Sequence, residues 1–274
     1  MFREKSVKII ATILSIVVVI LIVSPFLWIA ATAFKPPHEI NVVPPHFLPK
    51  RATLENFKYI LLKENFARYI LNSFIISILS MVSILITSSI GGFIFAKYRF
   101  PFKNFFFSLV LATAIIPLQV FMIPLFVMMY KLHLLNTFFA LIFPFTIMSF
   151  GVFFMRQTIS TIPNDLLDSA RIDGANEFWI YSKIILYLSK NSLLALGVFS
   201  FSEAWANFVW PLVIVSTKQM YTTELGLAIY QRQFFTEYGP VSAGAVVTII
   251  PMAIVFIFLR RYIMEGITTT GMKG

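Results

Sequence analysis

Six long apolar runs divide the chain, at residues 9–34, 70–96, 105–130, 134–155, 192–215 and 241–259. Charge is absent from all of them except the fifth, which contains Glu203. A helix needs about 20 apolar residues to cross the hydrocarbon core of a bilayer, and each run meets that length. The runs are continuous rather than alternating, and far longer than the roughly 9–11 residues of a membrane barrel strand. The pattern therefore predicts an all-α integral membrane fold of six transmembrane helices, forming a single domain over residues 1–274. Pro25, Pro117, Pro124, Pro144, Pro211 and Pro251 fall inside or at the ends of these runs. Proline bends helices and frees backbone carbonyls, which suits a solute pathway and an ordinary bundle alike. Ala31 and Ala33 could mark a signal-peptide cleavage site, but the run before them exceeds the roughly 7–15 residues of a signal peptide's apolar region. A retained helix is expected.

Two polar segments between the runs have structure of their own. The first, 35–69, opens with Pro36, Pro37, Pro44, Pro45 and Pro49, which exclude a regular helix there. After Thr53, Leu54, Phe57, Ile60, Leu61, Ala67, Ile70 and Leu71 recur at helical spacing, with Glu55, Lys58, Lys63 and Glu64 between them. This predicts an amphipathic helix lying along the membrane surface, either as a collar or as a docking surface for an external partner. In the second segment, 156–190, Pro163 and Asn164 suit a helix start and Asp165 to Ile172 reads as a short helix. Gly174 is placed to break that helix by taking a positive φ, and a second helical stretch follows through Phe178, Ile180, Tyr181, Ile184 and Ile185. Such a helix–turn–helix, apolar on one face and acidic at its edges, is shaped to enter a groove on another protein. It would equally serve as a surface loop packed on its own bundle.

Composition agrees with the membrane reading: 58% of residues are apolar and 12% charged, with a mean hydropathy of +0.84, whereas soluble domains carry about 25% charge. The net charge of +10 is topological rather than a sign of nucleic acid. Of 22 basic residues, 13 lie before the first run, between the second and third, within 156–190 and after the last, which predicts both termini in the cytoplasm of a multi-pass cell-membrane protein. With no cysteine, disulfides, thiol chemistry and Cys-ligated metals drop out. No GxxxxGK[ST] phosphate loop, HExxH, GxSxG or paired catalytic carboxylates occur, and His38, His46 and His133 are scattered. The chain reads as a transporter component, not an enzyme, with no cofactor or metal of its own.

The stretch IPNDLLDSARIDGANEFWIYSKIILYLS resembles the cytoplasmic coupling loop of ABC importer permeases, whose pattern is an acidic residue with two alanines, three residues, a glycine and then Ile-x-Leu-Pro. Asp168, Ser169 and Ala170 occupy the triplet and Gly174 the glycine, while ARIDGA is similar to the version in carbohydrate importers of the maltose type, in particular their second permease. NSF at Asn72, RFPFKN, IIPLQVFMIPLF, LLNTFFALIFP, FVWPL and the ending GITTTGMKG extend the likeness over nearly the whole chain. Three positions depart from the family pattern. Tyr187 replaces the usual proline, predicting a less sharply bent exit from the second coupling helix; Ala206 follows Trp205, with Asn207 one place late; and His133 stands where glycine is usual.

The resemblance implies a type I ABC importer permease fold that pairs with a second, homologous permease. It also implies two cytoplasmic ATPase subunits, which bind ATP and Mg, and an extracytoplasmic sugar-binding protein. In that setting the loop transmits ATPase motion to the helices. Asp168 and Asp173 would meet basic groups of the ATPase and Arg171 acidic ones, while Ala170, Ala175, Phe178 and Trp179 would fill its groove. Glu203 is the one acid deep in a run, and such groups face a cavity or a partner because lipid exposure is costly. With Asn207 one turn on and Trp205 beside it, Glu203 either lines a sugar path or makes a subunit contact; Gln119 is a further path candidate. The cargo expected is a sugar or oligosaccharide, with a polyol phosphate open. Two other classes compete: an ion-coupled secondary transporter, for which one intramembrane acid is thin material, and a membrane enzyme acting on lipid, which lacks a catalytic cluster.

Overall fold

The computed structural model describes the backbone of residues 2–233 and 237–271, and side chains except those of residues 2–7, 9, 232–233 and 259–271. Arg3, Lys5, Arg232, Arg260, Arg261 and Lys273 of the charge count, and the whole GITTTGMKG ending, lie outside the described side chains. Among the described residues all regular structure is helical. The longer helices, in chain order, are α1 Phe2–Ala33, α2 Phe66–Lys97, α3 Lys103–Ile115, α4 Leu118–Lys131, α5 Phe138–Ile142, α6 Ser149–Ser160, α7 Asn164–Ile172, α8 Glu177–Leu188, α9 Lys190–Trp205, α10 Val209–Ile214, α11 Thr223–Gln233 and α12 Tyr238–Gly271.

Three stretches are long and apolar enough to cross a membrane unbroken, Ile10–Ala33, Phe66–Lys97 and Tyr238–Phe258. The other apolar runs are broken. The run at 105–130 divides into α3 and α4, which meet at 95°. Ile116 and Pro117 are both extended there, because Pro117 has no N–H to donate and disfavours helical backbone in the residue before it. The run at 134–155 bends by 48° between Phe145 and Ser149. The run at 192–215 is not one helix: α9 ends at Trp205 and α10 begins at Val209, with Ala206 to Phe208 between them. By contrast, the helix continues through Pro25, Pro124 and Pro251.

The chain forms two compact units. One comprises residues 1–67 and 226–250. Its first helix exposes its large apolar side chains from Ile10 to Trp28. The proline-rich segment yields one helical turn, Pro37–Ile40, and is tied down by Asn56, whose Nδ2 donates to the carbonyls of Ala33 at 2.9 Å and Lys35 at 2.8 Å. The expected amphipathic helix is shorter than its periodicity suggested. It covers Glu55–Lys58 and widens over Tyr59–Lys63, then stops at Asn65, whose φ of 56° no helix continues; Ala67, Ile70 and Leu71 belong to α2.

The other unit, residues 68–225 and 251–274, carries the candidate sites. Its core joins Ile84 and Phe93 of α2 with Met155 and Ile159 of α6, Leu167 of α7, Ile180 and Ile185 of α8 and Leu196 of α9. Small residues let these helices close up. A Cβ on Gly92 would stand 2.6 Å from Met155 Cβ and 2.8 Å from the Arg156 nitrogen, so α2 and α6 touch almost backbone to backbone. At the other end of α2, Asn72 of the NSF motif donates to the carbonyls of Gln219 and Tyr221 at 2.8 and 2.9 Å, and Ser73 Oγ accepts from the Thr223 amide at 2.8 Å.

Candidate functional site

The segment 156–190 folds as a helix, a glycine turn and a second helix. Pro163 precedes the first residue of α7 in an extended conformation. At the far end, the Gly174 amide donates to the Arg171 carbonyl at 3.0 Å and the Ala175 amide to the Ala170 carbonyl at 2.9 Å. These two bonds, with Gly174 at φ +85°, form the Schellman termination that glycine favours. Asn176 then caps α8, its Oδ1 accepting from the Trp179 amide at 2.8 Å. The chain turns 78° between Leu188 and Lys190, so the exit is sharp even with Tyr187 in place of proline. Ser189, which leaves helical geometry there, accounts for the turn, and its Oγ donates back to the Ile185 carbonyl at 2.5 Å.

This arrangement separates the predicted loop residues into two sets. Ala170 is buried in the chain's own core beside Leu167 and Ile180, Ala175 is half-buried against the same cluster, and both line the cleft between the two helices. Arg171 is likewise engaged internally: it donates to Asp168 Oδ1 at 2.7 Å and to Glu177 Oε1 at 2.8 Å. Ser169, Asp173 and Gly174 border a cleft of about 510 Å³ between the two helices, with Trp179 on its rim. The outward surface is apolar instead: Ile172 is 86% exposed and Phe178 77%, with Leu166 and Trp179 nearly half exposed.

Glu177, absent from the sequence-level candidates, organises the loop. Its carboxylate accepts from Arg171 and from the Tyr98 hydroxyl. Hydrogen bonds from Arg171 first, then from Tyr98, hold it below the usual carboxylate range. Burial and the bond to Glu177 push the Tyr98 hydroxyl up to about 12. Tyr98 and Glu177 are far apart in sequence, and nothing in either neighbourhood marks them as partners.

A second feature lies between α3, α4, α6 and α9, a cavity of about 910 Å³. It brings together Gln119, Glu203 and Asn207, as anticipated, and adds Thr113 and Ser149, whose hydroxyls are 2.5 Å apart. Apolar side chains including Phe121, Phe145, Phe150 and Phe199 form the rest of its wall, and Glu203 is the one ionisable group among the described lining residues. Trp205 is not there. It is 2% exposed and stacked on Phe201, because it points from α9 into the helix packing while Glu203 faces outward. Asn207 Oδ1 accepts from the Trp210 amide at 3.2 Å, bridging the break between α9 and α10.

Residues 88–267, which contain the loop and all of the cavity lining but Ile84, match the family described as binding-protein-dependent transport system inner membrane component. The chain belongs to that family. Its relatives place the permease among carbohydrate ABC importers. It is 40% identical over 255 residues to the arabinooligosaccharides transport system permease protein AraQ of Halalkalibacterium halodurans, covering 92% of this chain and 91% of that one. It is also 29% identical to the sn-glycerol-3-phosphate transport system permease protein UgpE of Escherichia coli, covering 88% of each. A bacterial ABC transporter that imports the acidic polysaccharide alginate contains a chain of the same fold, with a TM-score of 0.84 at 21% identity over 94% of this permease and 97% of that chain. Permease subunits of this family are not themselves enzymes and carry no cofactor.

Proposed function

We propose that this permease spans the cell membrane six times as a single domain, with both termini in the cytoplasm, and imports a sugar or oligosaccharide using the energy of ATP bound and hydrolysed, with Mg, by two partner subunits. The six spans take each bent helix pair as one crossing. The orientation follows from the basic residues gathered on one side. A second, homologous permease completes the pathway, and an extracytoplasmic binding protein delivers the cargo. Glu203, Gln119 and Asn207 line the route, and their amide and carboxylate groups exchange hydrogen bonds with sugar hydroxyls.

The observation that carries this reading is the apolar edge of the loop. Ile172 and Phe178 are large, exposed and held on a rigid turn within a segment too polar to lie in lipid. A projecting apolar pair on a fixed helix–turn–helix is what a protein groove accepts. Asp168 and Asp173, at the edges, supply charge for steering. The test is co-purification in detergent of the permease with its candidate partner permease and ATPase. Native protein and Gly174→Asn, which keeps a residue tolerant of positive φ, should retain ATPase, and Gly174→Val should lose it. If the chain purifies alone and moves sugar into vesicles without ATP, the importer reading is wrong and an ion-coupled mechanism centred on Glu203 replaces it.

A further inference from the structure

The coupling loop is fastened to one membrane helix at several points. Lys97, the last residue of α2, donates from Nζ to the Ile162 carbonyl and, at 3.0 Å, to Asn164 Oδ1, where α7 begins. One residue on, the Tyr98 hydroxyl donates to Glu177 at the start of α8, and Glu177 in turn holds Arg171 near the end of α7. Two turns back along α2, Ser89 Oγ lies 2.7 Å from the Tyr181 hydroxyl of α8. Phe93 fills the space between, its ring 5.3 Å from Tyr98 and 5.8 Å from Tyr181. Both loop helices are thus tied to the same end of α2, and α2 is locked to α6 through Gly92. On the other side, α8 passes to α9 through the 78° turn at Ser189, where helical geometry is interrupted.

We infer that Lys97 and Tyr98 are positioning residues that make the loop and the cytoplasmic end of α2 one rigid piece, so that a displacement of the loop reaches the membrane first through α2, with Ser189 as the compliant joint toward α9. The inference rests on the coupling role proposed above. A loop hung only from its own flanking helices would pivot about its two ends. One that is also clamped at Asn164 and Glu177 has lost that freedom and must carry α2 with it.

The chain has no cysteine, so paired spin labels can be introduced without removing a native residue. Labels at Ile94→Cys on α2 and Lys183→Cys on α8 of the loop, both at exposed positions, report their separation by pulsed electron paramagnetic resonance in the full complex, without nucleotide and with a non-hydrolysable ATP analogue. The expected result is one narrow distance that is the same in both states. Adding Lys97→Met with Tyr98→Phe should broaden it and make it nucleotide-dependent, and Lys97→Arg with native Tyr98 should restore the narrow peak. A merely stabilising role would lower yield without changing the distance in the molecules that survive. The inference is overturned if the native separation shifts between the two states, or if the double variant keeps the narrow peak. Failure of the native complex to retain ATPase would instead overturn the coupling role itself, and co-purification reads that separately.

Discussion

The helix–turn–helix loop at 156–190 and the cavity are opposites in construction, although one unit of the fold carries both. In the loop three charged groups are turned on one another: Arg171 is divided between Asp168 and Glu177, and the Tyr98 hydroxyl donates to Glu177. The apolar side chains, Ile172 and Phe178, are left facing out. In the cavity the apolar rings form the wall, and Gln119, Glu203 and Asn207 are the groups presented to the space. A surface whose central charges are paired among themselves offers mainly hydrophobic area, with charge left at its edge, and that favours a protein partner. A concave surface with polar groups facing into an open hollow suits a small, hydroxyl-rich solute that must arrive and leave.

The contrast presupposes that both regions ride on a firm body, and the largest effect should come from attacking that body. Gly92→Val would drive a side chain into Met155 Cβ and the Arg156 backbone, neither of which can yield cheaply. Overpacking of this kind costs about 1–3 kcal/mol or more. The expected outcome is a large drop in Tm or in folded yield, read by thermal denaturation in detergent, with loop and cavity functions lost together.

Next in size is the exposed edge of the loop. Ile172→Asp with Phe178→Asp should leave the Tm of the isolated permease unchanged, since both positions are exposed. Affinity for the ATPase should fall about 10–100-fold, the size expected for removing central apolar anchors at about 1.4 kcal/mol per decade. Titrating labelled ATPase against the permease in nanodiscs measures this. A variant that bound normally would move the partner's site elsewhere.

A smaller effect is expected at the cavity. Glu203→Gln keeps a hydrogen-bonding side chain of the same shape, and uptake in vesicles should stay close to native. Glu203→Leu removes both polar atoms and should slow uptake by about tenfold, the scale of one lost hydrogen bond to a charged group. Neither should change ATPase retention. If they do, Glu203 is a subunit contact and the contrast between the regions fails.

The smallest effect concerns pH. Because Arg171 and Tyr98 lower the Glu177 carboxyl in the folded loop, its contribution is fully present above the ordinary glutamate range and is lost as pH falls through the depressed folded value. Tyr98 is raised, so its contribution holds below the ordinary tyrosine value and is lost as pH climbs toward about 12. A spin label at Ile172→Cys should therefore stay immobile across the neutral range and loosen at both extremes. The change should be modest, since Glu177 is partly exposed and screened.

How much of this was legible in the sequence depended on whether the signal was local. The unbroken span at 70–96 and the Asn164–Ile172 helix with its Gly174 stop follow from composition, one proline and one glycine, all contiguous. The break at Ile116 was marked by Pro117 though not in its angle, since the helix runs on through Pro25, Pro124 and Pro251, and the break at Ala206 to Phe208 was hidden, because hydropathy continues straight across it. Arg171 and Asp168 looked like solvated charges offered to a partner, and only folding reveals that they pair with each other and that Glu177, held by Tyr98, takes the rest of the Arg171 guanidinium. Trp205 looked like a sugar platform because it lies two residues from Glu203, but residues two apart on a helix point about 200° apart, to nearly opposite faces, and one of the two had to face inward.

The right-angled elbow at Ile116 and Pro117 has a consequence for the bilayer itself. The last carbonyls of α3 have no following turn to donate to them, Pro117 has no N–H to give, and hydrocarbon offers no donor. Such a break is tolerable only where something wet or proteinaceous reaches it, and Ile116 and Gln119 both border the cavity. The cavity should therefore be hydrated in the resting membrane, leaving the insulating layer locally thin. An arriving sugar would exchange one set of hydroxyl hydrogen bonds for another and never enter oil, and the seal against ions would fall to the apolar side chains of the cavity wall rather than to the lipid.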